Sequence, residues 1–147
     1  MSSAPVGGFA RILVAVDGSE VSLRAAQHAA RIAEREGAEL HILHVVPTPP
    51  FEVPMNLAGY FEEARKQAKR WMAEIEKAVA SYKVKVRTEI VVGAYSVVDA
   101  IVGYAETYSI SLIVTGTRGK TPSSRLRVGS VASGLVDYAT CSVLVIR

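Results

Sequence analysis

The apolar residues of this chain fall into short continuous runs that alternate with longer amphipathic stretches. The runs RILVAV, ELHILHVV, LIVT and SVLVI span residues 11–16, 39–46, 112–115 and 142–146. Such runs predict strands that are buried on both faces of a parallel sheet. Residues 83–92 instead alternate apolar with mostly charged positions, which predicts an edge strand with one face exposed to water.

Amphipathic stretches between these runs predict helices. Apolar residues recur at helical spacing between Ser19 and Gly37, over 59–82 and over 96–108, and residues 130–138 leave room for a short helix. Ser19 is a suitable N-cap and Gly37 a suitable C-terminal stop. Alternating strands and helices predict an α/β fold, a doubly wound parallel sheet with right-handed crossovers and helices on both faces.

Length and composition narrow the class of protein. The chain has 147 residues, half of them hydrophobic, so we expect residues 1–147 to form a single domain. The N-terminus lacks the pattern of a signal peptide and no apolar run reaches membrane-spanning length, so we expect a cytoplasmic location without a membrane partner. Although the net charge is +3, the basic residues are scattered among acidic ones, which makes a nucleic-acid partner unexpected. The single cysteine, Cys141, excludes an internal disulfide.

A glycine-rich segment between the fourth strand and the last helix carries the candidate chemistry. Gly116, Gly119, Gly129 and Ser130 form the pattern G-x2-G-x9-G-S. Ligands of doubly wound sheets bind beyond the carboxyl ends of the strands, where a helix N-terminus offers backbone N–H groups to phosphate. Glycines let the backbone approach the phosphate closely, and the Ser130 hydroxyl can reach a phosphate oxygen or a metal ion. The alternative is a plain strand-to-helix connection.

The basic residues of this segment would raise its positive potential. They are Arg118, Lys120, Arg125 and Arg127. Two familiar phosphate motifs are absent, because a P-loop would need a glycine in place of Val114 and no G-x-G-x-x-G follows the first strand. A nucleotide site here must therefore be of another kind.

Several segments resemble the universal stress protein family. They are ILVAVDGSE at 12–20, HILHVV at 41–46, LIVTGTRGK at 112–120, RLRVGSVA at 125–132 and CSVLVIR at 141–147, and they follow the family's order. The resemblance implies a Rossmann-like five-stranded sheet of order 3-2-1-4-5. In this family the complete G-x2-G-x9-G-[ST] pattern marks the members that bind ATP.

The resemblance also implies which residues contact a nucleotide. Asp17 would lie beside the ribose and phosphates, and the backbone of Val45, with Val46 nearby, would read the adenine edge. Gly93 would border the nucleoside, and the glycine-rich segment would hold the ribose and phosphates. The full expected set is Ala15, Val16, Asp17, Val45, Val46, Gly93, Thr115, Gly116, Arg118, Gly119, Gly129, Ser130 and Val131.

Three residues near this site also admit structural interpretations. Asp17 can instead stabilise the start of the following helix, and a carboxylate beside phosphates needs Mg²⁺ between them or a ribose hydroxyl as its partner. We expect His44 to be a hydrogen-bonded core residue. We expect Trp71 to belong to the core.

The sequence leads to an ATP-binding regulatory or stress-response protein, with Mg²⁺ at the phosphates. Catalysis would amount to slow ATP hydrolysis or phosphoryl transfer, because no catalytic base can be identified. A third alternative is a dimeric module that binds AMP, a cyclic nucleotide or nothing. The apolar last strand predicts a homodimer through Ser142 to Arg147, unless the chain covers that edge itself. The proline-rich loop Pro47 to Ala58 is a candidate lid or partner surface.

Overall fold

The computed structural model describes residues 8–49, 56–117 and 129–147. The strands are β1 (Arg11–Ala15), β2 (Glu39–Pro47), β3 (Val86–Ala94), β4 (Leu112–Gly116) and β5 (Ser142–Ile146). The helices are α1 (Glu20–Glu36), α2 (Leu57–Val79), α3 (Val97–Thr107) and α4 (Ser130–Tyr138). Every predicted element is present. The observed bounds differ most from the predicted ones for α2 and β3.

The strands form one parallel sheet in the order β3-β2-β1-β4-β5, which confirms the predicted topology. The central strand β1 pairs with β2 on one side and with β4 on the other, so that Ile12 lies between Leu40 and Leu112. Its residues Ile12, Leu13 and Val14 are fully buried. The continuous apolar run of β1 is therefore explained by helices on both faces of the sheet.

The edge strand β3 differs from the expectation of one wet face. Its first three residues are exposed and the remaining ones are half-buried, so exposure changes along the strand rather than from face to face. The reason is that both faces are partly covered. Ile90 packs against the core on the α1–α2 side, whereas Val91 and Ala94 pack against the core on the α3–α4 side.

Local signals at the helix ends agree with the sequence. The Ser19 side chain accepts a hydrogen bond from Ser22 N at 3.2 Å, and Gly37 ends α1 in the left-handed conformation at φ 66°. Ser96 caps α3 by accepting from Asp99 N at 3.1 Å. In the described ranges, none of the helices has the length and apolar character needed to cross a membrane.

Candidate functional site

A cavity of about 690 Å³ opens at the carboxyl ends of β1, β2 and β4. Most of the predicted site residues line it: Ala15, Val16, Asp17, Val45, Val46, Thr115, Gly116, Gly129, Ser130 and Val131. Parallel strands end at the same edge of a sheet, so segments that are far apart in the sequence meet there. The cavity therefore lies where the strand and glycine patterns predicted a ligand.

The turn between β1 and α1 holds Asp17 at the cavity wall. Oδ1 of Asp17 accepts a hydrogen bond from Ser19 N at 2.9 Å, and Asp17 N donates to the Ser22 hydroxyl at 3.3 Å. One carboxylate oxygen thus supports the turn, while Ser19 is the N-cap of α1. The structural interpretation of Asp17 holds for that oxygen, and a carboxylate has a second oxygen with which to accept a ligand hydroxyl.

The N-terminus of α4 forms another part of the cavity wall. Gly129 is its N-cap and provides no side-chain acceptor, so the first N–H groups of the helix are not capped by that residue. Gly129 N also donates to the carbonyl of Thr117, and Thr117 N donates to Ile146 O at 2.7 Å. These bonds fix the two ends of the glycine-rich segment beside β4 and β5. A helix N-terminus held in this way suits an anionic group.

Two threonines add hydroxyl groups to this part of the wall. Thr115 and Thr117 are 4% and 7% exposed, and both line the cavity. Thr117 was not among the predicted residues, because the glycine pattern drew the interpretation to its neighbour Gly116. The signal that could have found it is its position directly after a buried parallel strand.

His44 and Trp71 line the cavity as well as fulfilling the structural roles expected of them. His44 Nδ1 lies 2.8 Å from Val16 O, which confirms a hydrogen-bonded histidine, yet the ring is half-buried and lines the cavity. Trp71 packs against the core on the α1–α2 side but is also half-buried and lines the cavity. The structural interpretation of both side chains therefore omitted their place in the cavity wall.

Trp71 lines the cavity because it belongs to a second stripe on α2 that sequence reasoning missed. Tyr60, Ala64, Gln67 and Trp71 follow one another at spacings of four, three and four residues, and all line the cavity. The core stripe of the same helix, Ala68, Met72, Ile75 and Val79, has the same spacings and begins one residue after Gln67. Because one residue turns the helix by about 100°, the two stripes face different surroundings.

On the other side of the sheet, α3 supplies an apolar wall. Val97 and Ile101 line the cavity near Val45, whose side chain is 6% exposed. These α3 residues were assigned to an apolar stripe and not to a site. The cavity thus has apolar walls beside β2 and polar groups beside α4.

Of the three remaining predicted residues, only Gly93 is among the described residues, and it does not line this cavity. Gly93 adopts φ 84°, and a Cβ built on it would lie 3.7 Å from the Phe61 ring of α2. Arg118 and Gly119 lie outside the described residues, as do Lys120, Arg125 and Arg127. The apolar residues of the candidate lid, Phe51, Val53 and Met55, also lie outside them.

Metal ligands and other titratable groups add little to the site. In the portions of the chain that the structure covers, no group of three or more His, Cys, Asp or Glu side chains is arranged to hold a metal ion. Asp17 is the one carboxylate among the described lining residues.

The protein is thus of the doubly wound α/β class, with a cavity at the carboxyl ends of its central strands. The family model for the universal stress protein family matches residues 8–147, so the chain belongs to this family. A universal stress protein of Methanocaldococcus jannaschii is 35% identical over 143 residues, which cover 95% of this chain and 82% of that protein.

Solved structures agree with this assignment. The structure of universal stress protein UspA from Lactobacillus plantarum has a TM-score of 0.86 and 34% identity, with 95% of this chain and 99% of that one covered. A universal stress protein in complex with cAMP has a TM-score of 0.74 at 24% identity, with 95% and 98% covered. One from Archaeoglobus fulgidus in complex with dAMP has a TM-score of 0.73 at 23% identity, with 94% and 98% covered.

Proposed function

We propose that this protein binds an adenine nucleotide, ATP above all, in the cavity between β1, β2 and β4 and acts as a nucleotide-dependent regulatory protein. The observation that carries the proposal is the joining of an apolar region and a phosphate-type helix N-terminus in one cavity. Its volume of about 690 Å³ falls in the range of small-molecule sites. Two proteins of the same fold have been solved with cAMP and with dAMP.

The chemistry of the walls gives the nucleotide a direction. Phosphates would lie against the first turn of α4, where Ser130 and Val131 offer backbone N–H groups and Ser130 adds a hydroxyl. The base would lie at the end of β2, with backbone groups of Val45 and Val46 at its edge and Val97 and Ile101 of α3 against its face. Asp17, between the two, would accept a ribose hydroxyl or contact the phosphates through Mg²⁺.

Binding without fast turnover suits this arrangement best. Among the described lining residues, Asp17 and His44 can serve as a base, and each already makes a hydrogen bond to the β1–α1 connection. Oδ1 of Asp17 accepts from Ser19 N, and Nδ1 of His44 is hydrogen-bonded to Val16 O. Fast hydrolysis would need an acceptor directed at a water beside the phosphate, and the second oxygen of Asp17 is instead proposed to meet a ribose hydroxyl or Mg²⁺. Slow hydrolysis is the alternative function, and a preference for AMP or a cyclic nucleotide is a further one.

We also propose a homodimer formed through β5. This strand is an edge of the sheet, and Val143, Leu144, Val145 and Ile146 are half-buried although all are apolar. Pairing with the same strand of a second chain would cover them and satisfy the free edge. Val145→Lys should then give a monomer in light scattering at a concentration where the wild type is a dimer. A monomeric wild type would refute the dimer and leave the nucleotide proposal intact.

Calorimetric titration of nucleotide-stripped protein tests the main proposal. ATP with Mg²⁺, ADP, AMP and cAMP are titrated into the wild type, Gly129→Ala and Gly103→Ala. Gly129 has φ −72°, which alanine also adopts, so the added methyl group tests close approach of the ligand rather than backbone strain. Gly103 on α3 has nothing within 4 Å of an added Cβ and serves as the matched control.

We expect micromolar or tighter binding of at least one nucleotide, a loss of at least tenfold in affinity for Gly129→Ala and no change for Gly103→Ala. The ranking of the nucleotides decides between ATP and AMP-type ligands. Absence of binding by all four nucleotides to the wild type would refute the proposal.

A further inference from the structure

Trp71 of α2 lies directly against the turn between β1 and α1. A Cβ built on Gly18 would be 3.0 Å from both Cε2 and Nε1 of the indole and 3.2 Å from Cδ1. The five-membered ring of the indole therefore occupies the space that a side chain at position 18 would need. Gly18 also has φ 85°, a conformation that side chains rarely adopt, so a glycine is required here for two independent reasons.

The same indole also supports His44. The two rings meet edge to face, with centroids 4.6 Å apart and an interplanar angle of 80°. Nδ1 of His44 is hydrogen-bonded to Val16 O at 2.8 Å, and Val16 N donates to Leu43 O at 2.9 Å. Since a carbonyl only accepts, Nδ1 must carry the proton in this bond. Both backbone groups of Val16 are thus held by β2, and Trp71 packs against the histidine that makes one of these bonds.

Asp17 lies between Val16, whose carbonyl is hydrogen-bonded to His44, and Gly18, against which Trp71 packs. We propose that Trp71 is a positioning residue for Asp17, so that nucleotide affinity depends on how α2 packs against the β1–α1 turn. This inference rests on the proposed nucleotide site and adds α2 to its determinants. Loss of the indole would free Gly18 and His44 together and let the Asp17 carboxylate depart from the geometry in which it meets the ligand.

The chain offers a matched control for the loss of packing. Met72 follows Trp71 in α2, is 3% exposed and belongs to the core, and it does not line this cavity. Met72→Ala should lower the free energy of unfolding, as large-to-small substitutions of buried residues do, but it should leave the β1–α1 turn in place. Trp71→Phe keeps an aromatic ring on the core and is the variant to use if Trp71→Ala does not fold.

The decisive experiment combines a double-mutant cycle with amide exchange, using ATP with Mg²⁺ as the titrant. Asp17→Asn removes the charge but keeps an oxygen that can accept from Ser19 N, so the turn is retained. We expect Trp71→Ala to weaken ATP binding about tenfold in the wild type and less than about twofold in the Asp17→Asn background, as coupled neighbours do. Met72→Ala should change affinity less than about twofold.

Amide exchange in the nucleotide-free protein supplies a readout that does not depend on binding. The amides of Asp17 and Ser19 donate to Ser22 Oγ and Asp17 Oδ1, so their exchange with water reports the turn directly. We expect NMR to show faster exchange at both in Trp71→Ala and in Trp71→Phe, and unchanged exchange in Met72→Ala. Unchanged exchange in both Trp71 variants, or equal loss of affinity in both backgrounds, would overturn the inference.

The same design separates this inference from the proposed function. If no nucleotide binds to the wild type, the function proposal fails, and the exchange rates alone decide whether Trp71 fixes the turn. If the wild type binds and a folded Trp71→Ala binds equally well, the function proposal stands and the role of Trp71 is refuted.

Discussion

Gly134 of α4 lies so close to α3 that an alanine there should report the packing of these two helices. A Cβ built on Gly134 would be 2.7 Å from Cγ2 and 3.2 Å from Cγ1 of Val98. Favourable carbon–carbon contacts lie at about 3.5–4.0 Å, so the nearer methyl group must move by roughly 1 Å. Valine has one strongly preferred χ1 rotamer in a helix, and both of its methyl groups are near the new atom, so side-chain rotation gives little relief.

The expected free energies follow from two opposing terms. Overpacking of this kind costs about 1–3 kcal/mol. Replacing glycine by alanine within a helix stabilises it by about 1 kcal/mol. Gly134→Ala should therefore lower the free energy of unfolding by roughly 0–2 kcal/mol in the wild type. In a Val98→Ala background, where both methyl groups are gone, the same substitution should instead raise it by up to about 1 kcal/mol.

Urea unfolding of the wild type, the two single variants and the double variant, all at one protein concentration, tests this reversal of sign. The comparison within each background removes the cost of Val98→Ala itself, so only the coupling between the two positions remains. If Gly134→Ala stabilised the wild type, or had the same effect in both backgrounds, the close contact between α3 and α4 would be refuted.

Three further predictions concern positions outside the cavity. Gly103→Ala should raise the free energy of unfolding by up to about 1 kcal/mol, because an added Cβ meets open space in the middle of α3; a decrease in urea unfolding would contradict this. Burial lowers the pKa of His41 below 6.5, against the attraction of Glu39, whose Oε1 lies 3.0 Å from Nε2. As the pH falls, the unfolded chain therefore binds a proton at His41 before the folded chain does. The contribution of neutral His41 to the free energy of unfolding is complete above about pH 6.5 and is lost as the pH falls toward the lowered pKa; a pKa at or above 6.5 in an NMR titration of the folded protein would refute this. Burial raises the pKa of the Cys141 thiol, so a disulfide reagent at pH 8 should react more slowly with the folded than with the unfolded protein, and equal rates would count against it.

Much of the fold could be predicted because its signals are local. The run around Ile12 to Val14 is apolar at every position, as a strand covered on both faces requires, and the residues that begin and end α1 are Ser19 and Gly37, as expected. The candidate cavity followed from topology, since the carboxyl ends of parallel strands meet at one edge. The expected positions of Asp17, Gly116 and Gly129 at this edge rested on that rule and on the family resemblance.

The remainder depends on packing between elements that are distant in the sequence. Trp71 and Met72 are neighbours on α2 and both resemble core residues, yet one lines the cavity and the other does not. Only the rotation of α2 against the sheet decides between them. Gly93 is similar, because its φ of 84° and its contact with Phe61 reflect the packing of β3 against α2 rather than the cavity. Exposure along β3 likewise depends on how far the helices extend over each face.

NMR mapping of the amides that respond to a nucleotide tests most directly whether the cavity is the binding site. The nucleotide-free protein, labelled with ¹⁵N, is titrated with ATP and Mg²⁺ and in parallel with AMP. We expect the largest amide shifts at cavity residues in or directly after β1, β2 and β4 and at the start of α4, namely Val16, Asp17, Val45, Gly116, Thr117 and Ser130. Absence of shifts, or shifts concentrated around Arg65 and Thr88 in the smaller cavity between α2 and β3, would contradict it.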